Sequence, residues 1–118
     1  MAQAVDVEAI YEQAFQFRSE GRYGLARLEI QKVLAADPRH LKARHLLALI
    51  LGFEGDFDGS IAALAALATE APTNVAIRYD LAMSQVMLGM VDEAGANFRE
   101  VLRLQPDHQD AKKQLAYF

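Results

Sequence analysis

The sequence predicts an all-α fold: an α–α superhelix of three antiparallel helix hairpins, closed by a C-terminal cap helix. Two observations carry that prediction. The first is a fixed interval of 34 residues, which separates Gly21, Gly55 and Gly89, and likewise Pro38, Pro72 and Pro106. The same interval relates Ala14/Ala48/Ala82, Tyr23/Phe57/Val91, Ala26/Ser60/Ala94, Ile30/Leu64/Phe98 and Val33/Leu67/Val101. A period of this size marks stacked supersecondary units, each burying its apolar face against the next. The second is that no stretch alternates apolar and polar residues for long enough to make a strand. The 118 residues hold three such units and little else. The expected organisation is one domain over 1–118, with repeats 7–40, 41–74 and 75–108, and 109–118 completing the cap.

Taken in order, the first helix starts after Asp6, whose carboxylate can accept from the free amides of the first turn, where Glu8 adds favourable charge. Ile10, Ala14 and Phe17 recur at helical spacing up to about Ser19. Glu20-Gly21-Arg22 breaks it, because glycine enters the left-handed conformation without a Cβ penalty. A second helix is predicted from Tyr23 to Ala36, with Leu25, Ala26, Ile30, Val33 and Leu34 as its apolar stripe. Asp37-Pro38 ends it, since proline disfavours helical geometry in the residue before it. The next unit repeats the plan with Leu47, Ala48, Ile50 and Leu51, the turn at Gly55, then Ile61, Leu64, Leu67 and Pro72. In the third, Thr73 or Asn74 caps a helix carrying Ile77, Leu81, Ala82 and Val86, and Val91 to Leu104 follows the turn at Gly89. The tail from Asp107 to Tyr117 reads as a last helix capped by Asp107, covering the end of the stack.

Composition narrows the function. A net charge of −4 argues against nucleic acid, which calls for a basic stripe to neutralise phosphates. The absence of cysteine excludes disulfides, thiolate metal sites and thiol nucleophiles. The amino terminus lacks the basic start and apolar core of a secretory signal. The longest apolar run, Leu46 to Phe53, is far short of the roughly 18 residues of a membrane span. A cytoplasmic location without membrane insertion is the expectation.

Candidate chemistry is sparse. His40 and His45 are five residues apart, off the spacing that puts two ligands on one helical face, and His108 is distant in sequence. Asp56-x-Asp58-x-Ser60 opens like a calcium loop, but Ile61 and Leu67 stand where glycine and glutamate are needed. Gly21-x-x-Gly24 and Gly52-x-x-Gly55 follow no strand and precede no Gly-Lys-Ser/Thr, so neither is a phosphate loop. No metal, no cofactor and no enzymatic activity are expected. Arg39, His40, Lys42, Arg44 and His45 form a local basic cluster that could draw an acidic peptide, or could simply be a solvated helix end.

The landmarks resemble the tetratricopeptide repeat (TPR), a 34-residue helix-turn-helix with a small residue inside the first helix, Gly-x-Tyr/Phe at the turn, alanine three positions on and a closing proline. The matches are Ala14, Ala48 and Ala82, then Gly21-x-Tyr23, Gly55-x-Phe57 and Gly89-x-Val91, then Ala26, Ser60 and Ala94, and the three prolines. Gln13, Gln85 and Val91 depart from the pattern. The resemblance covers about 7–106 and implies a TPR solenoid that binds a protein or peptide partner in a groove lined by the first helix of each pair. Carried residue by residue, it implies Tyr11, Phe15, Arg18, Lys42, His45, Leu49, Phe53, Tyr79, Met83 and Met87 as partner-binding residues. The family's carboxylate clamp would fall on Tyr11, Phe15, Leu46, Ala76 and Asp80, which are the wrong side chains for it. Rigid rings make good anchors, and Tyr11 and Tyr79 are expected to be more exposed than Phe15 and Phe53, which divide evenly between anchor and core. The alternative is a scaffold or homo-oligomer formed through the alanine-rich helix after Ser60 and the apolar end Leu115-Ala116-Tyr117-Phe118.

Overall fold

A computed structural model describes residues 6–118; the stretch 1–5, read above for a secretory signal, lies outside the described residues. These residues form α1 (Val7–Ser19), α2 (Tyr23–Ala36), α3 (Leu41–Phe53), α4 (Phe57–Glu70), α5 (Val75–Met87), α6 (Val91–Leu104) and α7 (Gln109–Leu115). Among the described residues there is no strand. The helices fall into two compact units that divide after Asp56, with α1 to α3 in the first and α4 to α7 in the second.

Four helices start on the same device. Asp6 accepts from the Ala9 amide at 3.1 Å, His40 Nδ1 from Ala43 at 3.1 Å, Asn74 Oδ1 from Ile77 at 3.0 Å and His108 Nδ1 from Ala111 at 3.0 Å. These caps are themselves 34 residues apart, each satisfying a donor that the first helical turn leaves open. The last one corrects the expectation for the tail: His108, not Asp107, caps a helix that ends at Leu115. Asp107 lies one residue outside the register that puts an acceptor opposite the third helical amide.

The hairpin turns are equally regular. Gly21, Gly55 and Gly89 have φ of 75°, 97° and 72°. In that conformation the next amide bonds back into the helix, Arg22 to the Phe17 carbonyl at 2.8 Å and Met90 to that of Gln85 at 2.9 Å. At the other end Asp37 and Gln105, each preceding a proline, leave the helix at φ −141° and −140°.

In the first unit Ala14, Ala26 and Ala43 let α1, α2 and α3 approach closely around Ile30, Val33, Leu46 and Ile50, all buried. Leu25 was expected on that stripe but is 39% exposed. Ala26, Ile30 and Val33 define the buried face, and Leu25 shares the solvent face with Leu28 three residues on. In the second unit Phe98 is fully buried with Ala82, Ala94, Val101 and Ala111, and Leu115 of α7 packs on this core. Phe118 then folds back edge-on to Phe98, centroids 5.7 Å apart, over the bare face of Gly95.

Candidate functional site

Within the first unit α1 and α3 run in the same direction. Tyr11, near the start of α1, stacks on His40 at the start of α3 (5.7 Å, 27°), while Arg18 at the end of α1 lies over Phe53 at the end of α3 (5.2 Å). The furrow between them opens a cavity of about 160 Å³ lined by Tyr11, Phe15, Arg18, Lys42, His45, Leu46 and Leu49. Six of the residues expected to bind a partner thus meet around one space. Leu46 is the lining residue that the expected set left out; it is nearly buried and forms the floor.

The walls are held by ring, cation and hydrogen-bond contacts. The Arg18 guanidinium sits 5.8 Å from the Phe15 ring and 5.2 Å from the Phe53 ring, favourable for a cation over π faces. Phe53 in turn stacks on Tyr23 at 5.2 Å and 17°. At the opposite end His40 uses both ring nitrogens: Nδ1 accepts from Ala43, and Nε2 meets the Glu8 carboxylate at 2.9 Å. With Nδ1 an acceptor, Nε2 carries the proton and donates to Glu8. Burial, with Glu12 second, pushes the Tyr11 hydroxyl above its ordinary range and keeps it protonated.

Two sequence expectations are overturned here. Tyr11 and Tyr79, expected to be the more exposed rings, are the packed ones, half-buried against the two cores. Phe15 and Phe53 are 43% and 48% exposed. Position eleven of the chain and its counterpart at 79 face the cap histidine two helices on, so a ring there is drawn into contact: Tyr79 meets His108 at 5.0 Å and Phe98 at 5.8 Å. His40 is likewise a helix cap rather than a member of a free basic cluster. The 34-residue spacing of Asp6, His40, Asn74 and His108 was the signal for that role.

The remaining expected residues lie on α5 in the second unit. Tyr79 and Met83 are half-buried on the core, and Met87 is 68% exposed. Behind them Gln85, a departure from the repeat pattern, is buried and accepts from Asn97 Nδ2 at 2.7 Å, while Asn97 Oδ1 accepts from Arg78 at 3.1 Å. Among the described residues no three histidine or acidic side chains gather into a metal-holding group, and no helix is long and apolar enough to cross a membrane.

The paired helices and their 34-residue register define a helical-repeat protein. Residues 54–96 match the tetratricopeptide repeat family model. Among solved structures, the first TPR of Spaghetti (RPAP3), bound to the HSP90 peptide SRMEEVD, is 17% identical over 94% of this chain and 88% of its own, with a TM-score of 0.85. The type III secretion translocator chaperone SycD of Yersinia enterocolitica is 17% identical over 95% of this chain and 89% of its own, with a TM-score of 0.86. The O-GlcNAc transferase of Thermobaculum terrenum is 22% identical over 96% of this chain at a TM-score of 0.84, but this chain spans only 22% of that enzyme. At these identities the likeness is one of fold. No curated protein matches the chain.

Proposed function

We propose that this protein is a non-enzymatic interaction module that holds a partner peptide along the first helices of its repeats. One observation carries the reading: Tyr11, Phe15, Arg18, Lys42, His45 and Leu49 converge on a single cavity between α1 and α3. The groups there are aromatic, aliphatic and cationic, which suits recognition rather than a nucleophile–base pair. The RPAP3 domain, of the same fold, holds a peptide, which supports a peptide as ligand here. Tyr79, Met83 and Met87 recur at the repeat positions of Tyr11, Phe15 and Phe53, and we extend the reading to them on that ground. The reading implies no cofactor and fits a soluble, cytoplasmic protein.

The test compares proteins captured from native lysate by the unaltered chain with those captured by Phe15→Ala and Lys42→Glu. Both residues are exposed, so circular dichroism should be unchanged while a partner is lost. A partner retained by both variants would place recognition elsewhere. The homotypic alternative has one observation in its favour, the 84% exposure of Tyr117. Light scattering separates the two, because a strict monomer at high concentration leaves only the first.

A further inference from the structure

Two helices of this chain begin on a histidine. His40 caps α3 and His108 caps α7, each with Nδ1 accepting from the amide three residues on, at 3.1 Å and 3.0 Å. A backbone amide can only donate, so each ring caps in its neutral form, with the proton on Nε2. A second proton turns Nδ1 into a donor, leaves the amide without its acceptor and sets a positive charge against the positive end of the helix. The caps at Asp6 and Asn74 use oxygen acceptors instead, and histidine is the side chain that ordinarily charges between about pH 5 and 8.

The two histidines differ in what meets the other nitrogen. His40 Nε2 lies 2.9 Å from the Glu8 carboxylate of α1, so a charged His40 loses its cap but gains an ion pair. Also around it are Tyr11, stacked on the ring, and Glu12, near the Tyr11 hydroxyl; Asp37, Arg39, Lys42 and Arg44 stand on the connection from α2 and on α3 itself. His108 has no counterpart to Glu8: among the described residues no carboxylate bonds to its ring. From α5 it meets Tyr79 at 5.0 Å, with Asp80 beyond. The end of α6 carries Arg99, Glu100 and Arg103, the last two bonded to each other. Beside His108 in the chain are Asp107, Asp110 and Lys112. Asp110 is two residues away, a spacing that turns side chains to different sides of a helix, and its charge falls on the Tyr79 hydroxyl.

The two helices also differ in what else holds them. α3 has 13 residues and buries Ala43, Leu46, Ala48 and Ile50. α7 has 7 residues, too few to persist as a helix by itself, and its hold on the second unit is Ala111 and Leu115 against the core of Phe98. A lost cap is minor for α3 and decisive for α7.

We propose that α7 is an acid-released cover: as pH falls through the histidine range, a proton on His108 uncaps the helix, frees it from α6 and bares the apolar face around Phe98, while Glu8 holds His40 at the start of α3. The closed form needs the neutral ring and the released form does not, so acid favours release.

The test follows amide hydrogen exchange of the full chain, corrected for its intrinsic rate, from about pH 8 to about pH 5. The reporters are the Lys112 amide, bonded to the His108 carbonyl, and the Arg44 amide, bonded to that of His40. Protection at Lys112 should fall about fivefold, the change that loss of one helix cap brings, and at Arg44 less than about twofold. In His108→Asn and His108→Ser, whose oxygens accept throughout this range, protection at Lys112 should stay constant. Glu8→Gln should make Arg44 respond as Lys112 does. An undiminished acid response in either His108 variant would assign it to another group and overturn the proposal. Protection at Lys112 that is constant in the unaltered chain, or already absent at the alkaline end, would overturn it too. Equal responses at Lys112 and Arg44, unchanged by Glu8→Gln, would overturn the division between the two caps.

Discussion

The ring of Tyr11 stacks on the imidazole of His40 at 5.7 Å, and that imidazole is the N-cap of α3. The second unit repeats the arrangement with Tyr79 and His108 at the start of α7. In each case a ring on one helix steadies the residue that begins another. His40→Ala removes an acceptor for the Ala43 amide and should cost about 1 kcal/mol in urea denaturation, while His40→Asn, the residue that the repeat uses at position 74, should recover most of it. Equal losses for both variants would mean that the ring contact, not the cap, matters.

Gly95 is buried on α6, and a Cβ built there comes within 2.9 Å of Phe118 Cδ2. Gly95→Ala gains about 1 kcal/mol of helix propensity but must displace the Phe118 ring from its place beside Phe98. In Phe118→Ala the same substitution meets no ring and should be plainly stabilising. A double-mutant cycle measures the coupling, expected at about 1 kcal/mol; additivity would show that Phe118 contributes nothing at this site.

The buried Gln85 depends on Asn97. Asn97→Ala leaves Gln85 Oε1 without its donor and Arg78 without its acceptor, and should destabilise by about 1–3 kcal/mol. Gln85→Met removes the buried polar group itself and keeps the volume, so its cost should be distinctly smaller. Thermal melts of the two variants rank them directly.

Alkaline pH should loosen both units. Burial raises the Tyr11 and Tyr79 hydroxyls above the ordinary 10.0, with Glu12 adding to the first and Asp110 to the second. The fold therefore holds the protonated form more tightly than the unfolded chain does. The contribution is complete below the ordinary tyrosine value and is lost as pH rises through the higher folded one. Stability followed by circular dichroism should fall above about pH 10, and the fall should be shallower in Tyr11→Phe and Tyr79→Phe.

Much of the fold was legible because its determinants are local. Gly21, Gly55 and Gly89 take the positive φ that their spacing implied, and the ends of α2 and α6 fall where Pro38 and Pro106 placed them. The family register also picked six of the seven side chains around the α1–α3 cavity. The exposure of the rings was not legible. A hydropathy stripe ranks Tyr11 and Phe15 alike, and only the arrival of His40 beside Tyr11 buries one and leaves the other open. Gln85 read only as a departure from the repeat pattern, and Asn97, twelve residues on, supplies its donor.

By itself, then, the sequence determined the period, the helices, their turns and the cap at Asp6, because each depends on conformational preferences within a few residues. Tertiary structure alone decided which rings anchor and which pack, and where the cations stand. Arg18 becomes a positioned guanidinium only when the ends of α1 and α3 come together and two rings 38 residues apart, Phe15 and Phe53, bracket it.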